Sequence, residues 1–132
     1  MATEQRRPDY ANGKICYIIM PAEDIEASAE FYKKIFGWNV RQDNHGNASF
    51  DDTVGQVSGM WLTGLKPHTD SDLRIHIMVA DIAKTVDLIA ANGGTIVQQF
   101  DLNASEVVAE FADPAGNIFG LYQERALAGK TV

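Results

Sequence analysis

The chain has 132 residues and a mass of 14.5 kDa, which allows one substantial hydrophobic core and excludes two independent domains. Hydrophobic residues at 45% and charged residues at 22% exclude a disordered or fibrous chain, and 18 acidic against 11 basic residues give a net charge of -7. That field repels phosphate backbones and anionic lipid, so neither nucleic acid nor a membrane is an expected partner. The single cysteine, Cys16, rules out an internal disulfide, no Cys and His cluster has zinc-site spacing, and a reducing cytoplasm is the expected location.

Residues 1–13 are polar and carry no apolar stretch, so neither a secretory signal nor a membrane anchor is expected there. Residues 15–20 are apolar and rich in β-branched side chains, which reads as a strand far too short to span a bilayer. Asp24 follows as a helix N-cap, because its carboxylate can accept from first-turn amides and sits at the positive end of the dipole. Ile25, Ala29, Tyr32, Ile35 and Phe36 then recur at helical spacing, and Gly37 offers the left-handed conformation in which a helix stops. Three strands are predicted next, at 38–43, 48–52 and 56–63, separated by turn formers at 44–47 and 53–55. Residues 65–72, with Pro67, read as a joint inside one domain.

The pattern then starts again. Residues 17–40 align with 74–97 at one constant offset, pairing Ile18 with Ile75, Asp24 with Asp81, Ile25 with Ile82, Gly37 with Gly94 and Val40 with Val97. After a four-residue slip, Gly59-Met60-Trp61 aligns with Gly120-Leu121-Tyr122. The second copy has a strand at 73–79 and a helix from Asp81 carrying Ile82, Val86, Ile89 and Ala90 to the Asn92-Gly93-Gly94 stop. Strands follow at 95–100, 106–111 and 118–123. Asp113-Pro114-Ala115-Gly116 has the residue order a type I turn prefers. The unit is therefore βαβββ, twice. Module one spans 14–64 and module two 72–124 within a single domain at 14–124, with tails at 1–13 and 125–132.

The phrases Glu30-Phe31-Tyr32 and Phe36-Gly37-Trp38, with Val79-Ala80-Asp81, Gly93-Gly94 and Phe111-Ala112-Asp113-Pro114-Ala115-Gly116-Asn117, resemble the vicinal oxygen chelate superfamily of glyoxalases, bleomycin resistance proteins and extradiol dioxygenases. The resemblance implies an α+β fold in which the two modules form a cup of eight mostly antiparallel strands with the helices outside. It also implies that metal-dependent relatives hold a divalent ion on the cup floor with side chains from both modules. The matching positions here are Tyr17, Gly59, Arg74 and Gly120, and none is a usual ligand: glycine has no donor, a guanidinium has no free lone pair, and a neutral phenol binds divalent ions poorly. No metal and no other cofactor is expected.

Strand alternation sends Tyr17, Ile19, Val57, Gly59, Trp61, Arg74, His76, Met78, Ile118, Gly120 and Tyr122 to one concave face. The candidate ligand-binding set is Tyr17, Ile19, Trp61, Arg74, His76 and Tyr122, a mostly apolar lining with a few polar groups. The aromatic rings serve equally well as a core that fills the cup. Arg74 inside a cup needs an acid, a ligand anion or water, and Glu106 or Glu110 could be that acid. His76 is the candidate catalytic acid or base, since imidazole exchanges protons near neutral pH; against a role as a ligand, it reads first as a histidine satisfied by its neighbours inside the cup. His45 and His68 fall in loops, Asp51 and Asp52 read as solvated carboxylates, and Cys16 has the parity of a buried, inert thiol. The expected function is metal-independent binding of a small, partly aromatic or anionic organic molecule, with a homodimer expected because relatives complete their cups by pairing. The alternatives are a metal-dependent lyase, isomerase or dioxygenase, and an interaction module with a filled cup.

Overall fold

The computed structural model describes residues 8–42, 44–69 and 73–128. The parts of the expected tails at 1–7 and 129–132, Asp43 at the end of an expected strand, and 70–72 at the joint lie outside the described residues. Module one contains strand β1 (Tyr17–Pro21), helix α1 (Ile25–Phe36) and strands β2 (Asn39–Gln42), β3 (Ala48–Asp51) and β4 (Ser58–Leu62). Module two repeats this with β5 (His76–Val79), α2 (Ile82–Ala91), β6 (Thr95–Gln98), β7 (Val108–Ala112) and β8 (Ile118–Gln123), then a 3₁₀ turn at Arg125–Leu127. Both helices start where expected. The Asp24 side chain accepts from the Ala27 amide at 3.0 Å and the Asp81 side chain from the Lys84 amide at 3.1 Å. Gly37 ends α1 with φ 69°, donating its N–H to the Lys33 carbonyl, while Lys33 and Lys34 complement the negative end of the dipole.

Each module makes one four-stranded sheet, in the orders β1-β4-β3-β2 and β5-β8-β7-β6. The first strand of each pairs in parallel with the last, and the remaining pairs are antiparallel. The strands of the expected cup are all present, but they form two separate sheets that do not close on each other. The reason lies in α1. Its Tyr32 ring is 6.2 Å from Trp61 on β4 and 6.2 Å from Phe119 on β8, and Phe36 is 5.8 Å from Phe111 on β7. Phe31 lies so close to Gly94, just before β6, that a Cβ added there would meet its ring at 2.9 Å. Sheets joined edge to edge through β1 and β5 would set β4 and β6 about 24 Å apart, at roughly 4.8 Å per strand spacing. One helix cannot touch both in that arrangement. The helix-covered faces therefore look toward each other across α1 and α2, and the opposite faces look outward.

The shared core is aromatic. Phe31, Tyr32, Phe36, Trp38, Phe50, Trp61, Phe111 and Phe119 are all buried, with Tyr32 stacked on Trp38 and Trp38 on Phe50 at 4.5 Å. The Asp113–Asn117 turn joins the modules. Tyr32 Oη donates to Asp113 Oδ2 at 2.8 Å, and Asn117 Nδ2 donates to Asp113 Oδ2 at 3.0 Å and to the Pro21 carbonyl at 2.7 Å. The Ala115 and Asn117 amides both donate to Asp113 Oδ1 at 2.9 Å, and the His68 amide donates to Asn117 Oδ1 at 2.9 Å. This turn thus ties β1, α1 and the inter-module joint to β8. Burial pushes the Asp113 carboxyl up from its ordinary value, and burial next to that carboxyl pushes the Tyr32 phenol well up.

Candidate functional site

The outward faces of the two sheets hold the residues with chemistry. On the first sheet, Tyr17 is 48% exposed and Ile19 is 52% exposed, side by side with Ser58 and Met60 of β4 in the parallel register. The antiparallel register brings Asn39, Arg41 and Asp51 to this face. Asp51 accepts from Arg41 Nε at 3.0 Å and Nη2 at 3.1 Å, from Ser58 Oγ at 2.7 Å and from Asn39 Nδ2 at 3.2 Å. The Arg41 guanidinium holds the Asp51 carboxyl below its ordinary range, against a smaller opposing effect of burial.

On the second sheet, His76 and Met78 of β5 stand opposite Gly120 and Tyr122 of β8. Met78 is 57% exposed, and the His76 ring covers Gly120, where an added Cβ would meet its Cδ2 at 2.5 Å. Glycine here gives the imidazole its place. Glu110 of β7 pairs with Gly120 from the other side, and its Oε2 forms an ion pair with Arg74 Nε at 3.4 Å. Arg74 is partly solvated and precedes β5, so the demand for a partner inside a closed cup does not arise. Glu110 rather than Glu106 supplies its acid.

Three expected placements, those of Trp61, Gly59 and Cys16, are corrected. Trp61 does not face the concavity: it is 0% exposed and packs under α1 against Tyr32 and Phe50. Gly59 shares its side, where an added Cβ would collide with the Ile18 carbonyl and the Phe50 ring. The pairings Ile19 with Met60 and His76 with Gly120 make Met60 the counterpart of Gly120, so the slip between copies is one residue shorter than the glycine match implied. A one-residue slip moves a whole strand to the other face. Cys16 is exposed rather than buried, because it lies before β1 on the sheet edge while α1 packs on β2, β3 and β4. Within the expected tails the Asp9 amide donates to Gln56 Oε1 at 3.1 Å and residues 125–127 form the 3₁₀ turn capped by Glu124, while Lys14 Nζ, at the start of module one, donates to the Gln56 carbonyl.

Tyr17, Ile19, Arg74, His76 and Tyr122 all lie on outward faces, but on two different sheets whose faces do not meet within one chain. Sequence reasoning missed Arg41, Ser58 and Met60, and read Asp51 as a solvated carboxylate rather than the centre of a cluster. At the metal positions the corrected set is Tyr17, Met60, Arg74 and Gly120, which does not suit a divalent ion. Among the described residues no three His, Cys, Asp or Glu side chains converge to hold one.

Among the described residues no helix is long and apolar enough to cross a membrane. Residues 17–122 match the family model described as a glyoxalase-like domain. CFP32 of Mycobacterium bovis, provisionally named a glyoxylase, is 22% identical over 135 aligned positions that cover 96% of this chain and 52% of that protein. The chain thus spans about half the length of this curated relative. A member of the glyoxalase/bleomycin resistance protein/dioxygenase superfamily from Sphaerobacter thermophilus superposes with a TM-score of 0.67 at 19% identity, covering 85% of this chain and 98% of that one. A glyoxalase/bleomycin resistance protein/dioxygenase family enzyme from Burkholderia phytofirmans gives a TM-score of 0.67 at 16% identity, over 84% and 98%. With the repeated βαβββ unit and the Asp113–Asn117 turn, these matches show that the chain belongs to the family of glyoxalase-like domains.

Proposed function

We propose that the protein is a metal-independent glyoxalase-like binding protein for a small, partly aromatic or anionic organic molecule. In this reading two copies build the cup, the first sheet of one chain facing the second sheet of the other. The observation that carries it is the outward placement of aromatic and ionic side chains on two faces that point away from each other. Tyr17, Ile19 and Met60 supply apolar and phenolic surface, while Tyr122, Met78, His76 and Arg74 supply the opposing wall. Arg74, shared with Glu110, orients an anion, and any proton transfer in the cup falls to His76. The corrected metal positions offer a divalent ion only a neutral phenol and a thioether, which supports metal independence. Whether such a cup belongs to an enzyme or to a carrier is decided by turnover.

The test combines elemental analysis of protein purified without chelators with melting curves against aryl carboxylates and phenols. Sub-stoichiometric metal, with a ligand-dependent rise in Tm that Arg74→Ala and His76→Ala both reduce, is the expected result. Stoichiometric tight nickel, zinc, manganese or iron with turnover overturns it in favour of a metal-dependent lyase, isomerase or dioxygenase. No response to any organic ligand overturns it in favour of an interaction module with a filled cup.

A further inference from the structure

The ion pairs on the two outward faces are built differently. Arg41 gives both Nε and Nη2 to Asp51, at 3.0 and 3.1 Å, so that edge of its guanidinium is taken by its own chain. Arg74 meets Glu110 through a single contact, Nε to Oε2 at 3.4 Å, and its Nη1 reaches only the Leu73 carbonyl at 3.4 Å. Among the described residues Arg74 Nη2 donates to nothing and Glu110 Oε1 accepts nothing. Both side chains are partly solvated, and one long contact of this kind contributes little to stability. The pair is therefore free to exchange partners with a ligand.

The register sets these charges beside an apolar strip. His76, Gly120 and Glu110 align across β5, β8 and β7, and Met78, Tyr122 and Val108 make the next row on the same face. Arg74 reaches Glu110 across β8, where Gly120 carries no side chain and the His76 ring lies over the strand. Met78 is 57% and Val108 37% exposed. The two rows are about 7 Å apart, two residues along a strand, which is within the reach of a benzyl group. A carboxylate alone is a poor fit here, because it gains Arg74 but faces Glu110 as a like charge, and an amine alone meets the converse. A ligand carrying both charges on neighbouring atoms satisfies the Arg74 edge and the Glu110 oxygen together. We propose that this seat takes an α-amino acid with an aromatic or apolar side chain. Its carboxylate lies on Arg74, its ammonium on Glu110, and its side chain along Met78, Tyr122 and Val108. This assignment rests on the reading of the second sheet as one wall of the cup, and it narrows the ligand to a zwitterion.

The test is a titration of the whole chain with phenylalanine, with hydrocinnamate, its counterpart without the ammonium, and with phenethylamine, its counterpart without the carboxylate, followed by amide chemical shifts. Saturable shifts at His76, Glu110 and Gly120 are expected, with phenylalanine bound about fivefold more tightly than either counterpart, the scale of one partly solvated charge pair. Glu110→Gln is expected to erase the advantage over hydrocinnamate, and Arg74→Gln the advantage over phenethylamine, with melting curves checking that both variants fold. Hydrocinnamate bound as tightly as phenylalanine or more so, and weakened by Arg74→Gln, overturns the amino-acid assignment while the cup reading stands. Equal weakening of all three ligands in either variant overturns the charge-matching roles of Arg74 and Glu110. No saturable shift on this face with any of the three overturns the assignment and the cup reading together.

Discussion

Two aspartate side chains, each accepting four hydrogen bonds among the described residues, sit one inside and one on the outer face of this molecule and are driven in opposite directions. Asp113, between the modules, receives the Tyr32 hydroxyl, the Asn117 side chain and two backbone amides, and burial still pushes its carboxyl up. Asp51, on the outward face of the first sheet, receives Arg41 twice, Ser58 and Asn39, and is held low. The difference is a cation and water. Neutral donors alone do not offset the loss of solvent around a buried carboxylate, whereas a guanidinium at a partly wet surface does. The inner side is built for cohesion, and the outer side keeps charged groups available to another molecule.

The comparison is tested hardest at its inner side. Trp61→Ala empties the space among Tyr32, Phe50 and the sheet, and a loss of about 3–5 kcal/mol is expected in denaturant unfolding. A loss under 1 kcal/mol would return Trp61 to the open face. Tyr32→Phe strips one donor from a buried carboxylate and is expected to cost about 2 kcal/mol. Two glycines separate the sides by a methyl group. Gly59→Ala drives a Cβ into the Ile18 carbonyl and the Phe50 ring and is expected to cost about 1–3 kcal/mol, as overpacked cores do. At Gly120 the nearest atoms to an added Cβ belong to the exposed His76 ring, which can swing into solvent, so Gly120→Ala should cost less than Gly59→Ala while displacing the imidazole, visible as a shift of the His76 ring protons.

The smallest effect is in the pH profile. Asp113 has a raised native pKa, so the folded state binds its proton more tightly than the unfolded state does. Its contribution is greatest at low pH and declines as pH rises from the ordinary aspartate value through the raised one. Asp51 has a lowered native pKa, so its contribution is present above the ordinary value and is lost as pH falls toward the native one. Asp113→Asn should therefore flatten the fall on the alkaline side of that range, and Asp51→Asn the fall on the acid side. The same slope change in both variants would contradict the assignment.

Much of the fold was legible because its punctuation is local. Asp24 and Asp81 cap, Gly37 stops a helix, and Asp113-Pro114-Ala115-Gly116 turns, each for reasons contained within a few residues. The register of β4 was not. Gly59 matches Gly120 by identity, yet the partner strands place them on opposite faces, and that depends on pairings tens of residues away. The packing of the modules was equally hidden, since an aromatic face on α1 buries itself against any apolar sheet. The candidate site followed the same division: the second sheet, read from strand alternation alone, holds His76, Met78, Gly120 and Tyr122 on one face, whereas the Arg41–Asp51–Ser58 cluster needed three strands in register.

The central claim is that two outward half-cups in one chain are completed by a second copy. Sedimentation velocity across a dilution series tests it most directly, with Tyr17→Glu and Met78→Glu as variants that put charge on each face. The account predicts a species of twice the 14.5 kDa chain mass in the unmodified protein, dissociated by either substitution with the monomer fold intact. A species of 14.5 kDa at every concentration, or a dimer indifferent to both substitutions, would contradict it.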